Sequence, residues 1–235
     1  MMDKLVVNNI TINNLKPTKN TFKNKNNKFS AKGHIGNNKV KIYEVFDQNQ
    51  GSLMEFMSKN KELSKYLPKL ITYNEKFIVE EWIEGKTLKE LNYDYKKNFS
   101  YSNEVKNIIN LMWSLKYDKI VFDYLKYIHI RVNKTYNSNL DNLPIRINHN
   151  DLSLDNIIVS AQGLKIIDNE YLGCNTGWIL NIKNSFLEED FIYQNFISTK
   201  TLNALWDTRK EWRKTSLKNS RNIKQLLKNF IKKIL

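Results

Sequence analysis

Asp151, Asn156 and Asp168 are the residues whose types and spacing could do chemistry. Asp151 lies in a polar segment, His149-Asn150-Asp151-Leu152-Ser153-Leu154-Asp155-Asn156, between the short apolar stretches 145–148 and 157–159. Asp168 follows one Gln162-Gly163 turn later, at the end of Leu164-Lys165-Ile166-Ile167-Asp168. Two acids and an amide thus converge on the ends of short strands. Mg²⁺ takes hard oxygen ligands, one or two from the protein and the rest from water and phosphate. Asn156 and Asp168 could supply them. Asp151 would then accept a proton from an attacking hydroxyl. Phosphoryl transfer asks a protein for this kind of positioning and charge compensation, with little covalent work.

The elements that must position these residues can be read from pattern. Residues 5–12 are rich in β-branched types and predict a first strand; 13–27, with Pro17, predict a loop. Residues 28–35 and 39–45, around Gly36-Asn37-Asn38, predict a hairpin. Residues 51–65 predict a helix with Ser52 as a cap and Pro68 beyond its end. Residues 69–74 and 76–83 predict two strands, Gly85 a break, and Thr87 the start of a helical stretch. Val105, Ile108, Ile109, Met112, Leu115 and Ile120 predict one apolar helical face across 103–132. Asn133–Asn142 reads as a loop, and everything beyond 185 as helical. The expected fold class is α+β with two lobes: a small β-rich lobe over 1–83 and a mostly helical lobe over 84–235.

Composition narrows the classes. The chain has 235 residues, a net charge of +14 and a single cysteine. Cys174 can form no internal disulfide, and with three histidines it makes no Cys/His zinc site. No apolar run suggests a signal peptide or a spanning helix, so the expectation is a soluble, cytoplasmic protein. Residues 207–235 carry ten Lys/Arg against Asp207 and Glu211, so the basicity is mainly a property of the tail. Arginine is scarce and no RNA motif occurs; no specific nucleic-acid partner is expected, only salt-sensitive binding through the tail.

The stretch His149–Asn156 resembles the H-x-D-x-x-x-x-N catalytic loop of the protein-kinase-like fold. Its H-N-D form is similar to that of choline/ethanolamine kinases and aminoglycoside phosphotransferases. Ile166–Gly173 resembles the choline-kinase segment that carries the metal-binding Asp. Glu80–Leu88 resembles the hinge of the same group. Leu67-Pro68-Lys69-Leu70 and Lys39–Tyr43 resemble its proline turn and its nucleotide-contacting strand. The likeness spans roughly residues 10–185 in the family's order.

The resemblance implies a protein-kinase-like two-lobed fold and an ATP- and Mg²⁺-dependent phosphotransferase. The γ-phosphate would pass to a hydroxyl of a small molecule, choline- or ethanolamine-like first and a sugar or surface glycan next. Asp151 would be the catalytic base, and Asn156 and Asp168 the metal ligands. Lys41 would contact the α/β-phosphates and pair with Glu55; Lys32 and Lys39 compete for the first role and Glu62 for the second. The backbone of Glu81, Trp82 and Ile83 would meet the adenine edge, and His149 would be structural. Glu170, Tyr171 and Trp178 are substrate candidates; with Trp82, the two aromatics could wall a quaternary ammonium group by cation–π attraction or be core. The phosphate-covering segment Lys16–Phe22 has no glycine, and Asn169 stands where the family has an aromatic. A nucleotide-binding regulatory module of the same fold is the alternative function. Residues 216–235 pattern as a basic amphipathic helix, which would pack on the lobe or lie on an anionic membrane.

Overall fold

The computed structural model describes residues 3–18, 28–94, 99–136, 138–183, 198 and 200–214. Its first half is a six-stranded antiparallel sheet ordered β1-β2-β3-β4-β6-β5. The strands are β1 (Lys4–Val7), β2 (Ile10–Pro17), β3 (Ser30–Ile35), β4 (Asn38–Glu44), β5 (Leu70–Tyr73) and β6 (Phe77–Glu81). The expected single strand over 5–12 is instead the hairpin β1–β2, turning at Asn8 and Asn9, both at positive φ. Asparagine tolerates that conformation better than other side-chain-bearing residues, so two consecutive asparagines make the turn that glycine usually makes. β2 then continues through residues read as loop, to Pro17.

The two faces of the sheet serve different purposes. Val7, Ile12, Leu15, Ala31, Val40, Ile42 and Val79 form one buried cluster. Gly33 belongs to this face: an added Cβ would meet Ile12 at 2.6 Å. Period-2 alternation sends Lys41 and Tyr43 the other way, toward helix α1 (Gln50–Ser58) and the rest of the chain. α1 starts at Gln50, ahead of Ser52, and ends at Ser58; the expected longer helix resolves into α1 and a separate 3₁₀ turn at Leu63–Tyr66.

The second half gathers around one large core containing Leu53, Met54 and Met57 of α1. Thr87 opens no helix. Lys86–Thr87 is a short strand, β7, paired with β9 (Ile157–Ser160), which pairs with β10 (Gly163–Ile166). Gly85 makes this approach possible: its φ is +152°, and an added Cβ would stand 2.4 Å from the Val159 carbonyl oxygen. The stretch 103–132 divides into α2 (Ser100–Ser114) and α3 (Tyr124–Arg131). Asp123 caps α3 by accepting from the Lys126 amide at 3.1 Å. Val105, Ile108, Ile109 and Met112 are buried as expected, but Ile120 lies between the helices and is exposed. The last sheet pairs β8 (Arg146–Asn148) with β11 (Gly173–Asn175). Residues 200–214 form helix α4. The 216–235 segment lies outside the described residues, and among those described no helix is long and apolar enough to cross a membrane.

Candidate active site

Backbone bonds bring the three sequence-marked residues together. His149 and Asn150 directly follow β8. Asn150 is at φ 60°, and the Asp151 amide turns back to the His149 carbonyl at 2.8 Å. Asn148 and Asn150 suit this tight loop because their amides satisfy it: Asn148 Oδ1 accepts from the Asn150 amide at 2.9 Å, and Asn150 Nδ2 donates to the Tyr171 carbonyl at 2.7 Å. Asn156 closes the loop by donating Nδ2 to the Asp151 carbonyl at 2.7 Å. Ile167 N–H donates to the Asn156 carbonyl at 2.9 Å, which sets Asp168 beside Asn156 at one end of the β9–β10 hairpin.

His149 ties the two segments. Its Nε2 lies 2.8 Å from the Ile167 carbonyl oxygen, so that nitrogen carries the proton. Burial pushes the imidazolium pKa down. The ring is therefore neutral, and its Nε2 proton is held by the Ile167 carbonyl.

Asp168 adopts the left-handed conformation, φ 61°, and its carboxylate pairs with Lys41 of β4. Lys41 is buried and also lies 3.4 Å from Glu170 Oε1. Across the β4–β6 ladder its register partner is Glu80, which is buried too. Burial alone would lower the Lys41 pKa, but Asp168, Glu170 and Glu80 together hold it above the ordinary lysine range. Burial raises Asp168 and Lys41 lowers it; the lysine prevails, and Asp168 sits below its usual value. Glu80 is pushed up to about 7, by burial first, with Lys41 opposing.

The expected Lys41–Glu55 pair does not form. Helical period places Gln50, Leu53, Met54 and Met57 on the inner face of α1 and turns Glu55 outward. Glu55 accepts from Tyr73 Oη at 2.6 Å and pairs with Lys59 at 2.9 Å. Gln50 of α1 hydrogen-bonds across to the other half. Its Nε2 donates to the carbonyls of Glu170 and Leu172, at 3.0 and 2.7 Å. Asn169 links the halves as well, donating Nδ2 to Glu80 at 3.3 Å. An aromatic could not make that bond, which accounts for the amide at this position.

The hinge residues Glu81, Trp82 and Ile83 run off the end of β6. The Glu81 amide is taken by the Lys69 carbonyl and the Trp82 amide by that of Lys39. Trp82 and Ile83 both lie beyond the strand pairing, which ends at Glu81. A cleft of about 730 Å³ opens beside this hinge, lined by Lys39, Leu70, Glu81, Trp82 and Glu84. Lys39 is engaged with Glu84 at 2.6 Å, and Lys32 Nζ lies 4.6 Å from the Trp82 ring. Lys16, Lys32 and Lys41 are register partners on successive strands. They share one face and form a row of cations leading to Glu80.

Among the substrate candidates, Trp178 belongs to the core: it is fully buried, donates Nε1 to the Pro144 carbonyl at 2.7 Å and packs edge-on to Trp113. It cannot wall a ligand. Tyr171 is half-buried among Phe46, Tyr124, Tyr127 and Trp212. Glu170 faces Lys41.

Asp151 has two partners that the sequence reading missed. Arg213 Nη2 of α4 lies 2.5 Å from its Oδ1, and Arg209 Nη2 lies 3.5 Å from the same oxygen. The available signal was composition: only five arginines occur in this lysine-rich chain, and two stand four apart at 209 and 213.

The residues present fit a magnesium ion. Asn156 spends its Nδ2 on the loop, which leaves its amide oxygen to act as a ligand, on a segment that the Ile167 amide ties to the one carrying Asp168. Among the described residues no three His, Cys, Asp or Glu side chains gather into a metal cage. A metal held here would complete its shell from water and phosphate.

No family model matches the chain, and no curated protein matches it. Solved structures do. The gentamicin complex of aminoglycoside phosphotransferase APH(2'')-IIa aligns over 90% of this chain and 90% of its own, with 13% identity and a TM-score of 0.53. APH(4)-Ia with AMP-PNP and hygromycin B aligns over 90% and 92%, with 7% identity and a TM-score of 0.51. LicA with AMP aligns over 90% and 91%, with 15% identity and a TM-score of 0.50. The chain has the aminoglycoside phosphotransferase-like kinase fold, the α+β two-lobed class expected.

Proposed function

We propose that this kinase-fold chain is a phosphotransferase that moves the γ-phosphate of ATP to a hydroxyl of a small molecule, with Mg²⁺ as cofactor. One observation carries the reading: Asp151, Asn156 and Asp168 are tied into one constellation, with a buried lysine from the sheet on Asp168. The names of fold neighbours describe streptomycin with ATP on APH(2'')-IIa and hygromycin B with AMP-PNP on APH(4)-Ia.

Each residue then has a task. Asp151 orients the acceptor hydroxyl and takes its proton as the oxygen attacks phosphorus. The new O–P bond forms as the bond from the γ-phosphorus to the β-bridging oxygen breaks, and ADP leaves with that electron pair. Asn156 and Asp168 would hold the magnesium ion, which when bound would neutralise phosphate charge. Lys41 stands against the same phosphates and keeps Asp168 ionised. The lysine row stands in for a glycine-rich phosphate loop by charge, where glycine would act through close backbone approach. The hinge around Ile83 meets the adenine. Positioning and charge compensation of this kind supply most of the catalysis in phosphoryl transfer.

Asp151→Ala tests the assignment. The loss of a positioned proton acceptor costs on the order of 10²–10⁴ in rate. Turnover should fall by that factor with Mg²⁺-ATP affinity retained; comparable turnover in the variant would remove Asp151 from the reaction.

A further inference from the structure

Helix α4 puts two guanidinium groups on the Asp151 carboxylate. Arg209 and Arg213 are one helical turn apart, so both project from the same face. Arg209 is buried, with Nη2 donating to the Asn150 carbonyl at 3.0 Å. Its guanidinium lies 5.2 Å from the Trp206 ring, and among the described residues its buried Nε has no hydrogen-bond partner. Trp212, between the two arginines, packs against Tyr124, Tyr127 and Tyr171 and fixes the helix there. Arg213 is half-exposed, at 44% of its side chain, so it can turn to a ligand. The acids on the same helix are engaged elsewhere: Asp207 with Lys210 at 3.7 Å and Glu211 with Lys134 at 2.6 Å.

The charge count around the site follows. Two guanidiniums face a single carboxylate, and the buried Tyr124 hydroxyl is a further contact of Arg209. Guanidinium groups match the paired oxygens of carboxylate and phosphate. A cationic acceptor would have to approach Asp151 past two like charges. An anionic one would draw Arg213 away from Asp151 and free the carboxylate to take the hydroxyl proton.

We propose that Arg209 and Arg213 form an anion subsite and that the acceptor is a small hydroxy compound bearing a phosphate or carboxylate group. This rests on the phosphotransferase reading above and names its substrate class. The oxyanion binds between the arginines, the hydroxyl faces Asp151, and the aromatic cluster around Tyr171 lines the intervening wall.

The test uses matched acceptors on two skeletons. One series is glycerol, glycerol 3-phosphate, glycerate and 3-amino-1,2-propanediol; the other is glucose, glucose 6-phosphate, glucuronate and glucosamine. Turnover is measured with Mg²⁺-ATP for the wild type, Arg213→Ala and Arg213→Lys. Binding of each anionic probe is measured by calorimetry with a non-hydrolysable ATP analogue saturating the nucleotide site. The expected result is binding or turnover confined to anionic members, with phosphate and carboxylate arms ranked by the data. Arg213→Ala should weaken the anion's KM or Kd on the order of tenfold to a hundredfold, with kcat changed less and Arg213→Lys recovering part. Preference for neutral or cationic members would overturn the subsite. So would a rise in turnover with every acceptor in Arg213→Ala, which would make Arg213 a lock on Asp151. If no acceptor is turned over, Arg213-dependent anion binding upholds the subsite and fails the phosphotransferase reading. Absence of any anion binding then overturns the subsite.

Discussion

Replacing Lys41 by methionine should destabilise the protein in a pH-dependent way. The ammonium is buried among three carboxylates: Asp168, Glu170 and, across the strand ladder, Glu80. Removing one partner of a fully buried pair costs about 3–5 kcal/mol, because the other charge stays behind. Two of the three carboxylates are partly solvated, Asp168 at 27% and Glu170 at 18% exposure, which reduces the cost. Glu80 supplies the pH dependence. Its folded pKa is raised from 4.5 to about 7. Between those values the folded chain holds a proton that the unfolded chain has released, so stability falls as pH rises through that window. In the wild type this loss is at most about 3–4 kcal/mol, complete above pH 7. Without Lys41, Glu80 loses the charge that opposes burial, so its pKa rises further and the window extends upward. The expected loss in Lys41→Met is about 1 kcal/mol at pH 5.5, where Glu80 is protonated, and about 2–4 kcal/mol at pH 8. Urea unfolding at both pH values reads it, with m unchanged if the denatured state is unaltered. Adding Glu80→Gln should remove the pH-dependent part. Equal losses at both pH values, or a wild-type profile flat between pH 4.5 and 7, would refute the reasoning.

Two further outcomes follow from the geometry. Trp178→Ala should cost about 3–5 kcal/mol in chemical denaturation, because it empties a fully buried site and orphans the Pro144 carbonyl; a near-neutral result with altered substrate affinity would return Trp178 to a ligand wall. Gln50→Ala should cost about 1–3 kcal/mol, since one buried amide serves the Glu170 and Leu172 carbonyls and accepts from the Phe46 and Asp47 amides; unchanged stability would mean that these groups are satisfied without it.

The site was legible where chemistry needs a fixed residue at a fixed spacing. Asp151, Asn156 and Asp168 are marked by motif, and the β8, β9 and β10 segments around them by short apolar runs. Lys41 was legible as a strand lysine. Its partner was not, because the helical phase of α1 is set by which residues bury, and Glu55 and Gln50 differ there only in tertiary context. Glu80 was legible only as a member of the hinge segment Glu80–Leu88. Only the β4–β6 register reveals it as the residue opposite Lys41. The β1–β2 turn was missed because Asn8-Asn9 needs no glycine, and the break between α2 and α3 because Ile120 fits the period while lying on a loop. Arg209 and Arg213 are far from Asp151 in the chain, and no local pattern ties a terminal helix to a loop 58 residues earlier.

The most direct test of phosphoryl transfer is acceptor-dependent ADP release with Mg²⁺-ATP across anionic, neutral and cationic alcohols, with the added phosphate confirmed by mass and Asp168→Ala as the blank. The account predicts ADP release that requires an acceptor, adds one phosphate to it and vanishes in the blank. No acceptor-dependent release, with Mg²⁺-ATP still bound, would contradict it and leave a nucleotide-binding module on a kinase fold.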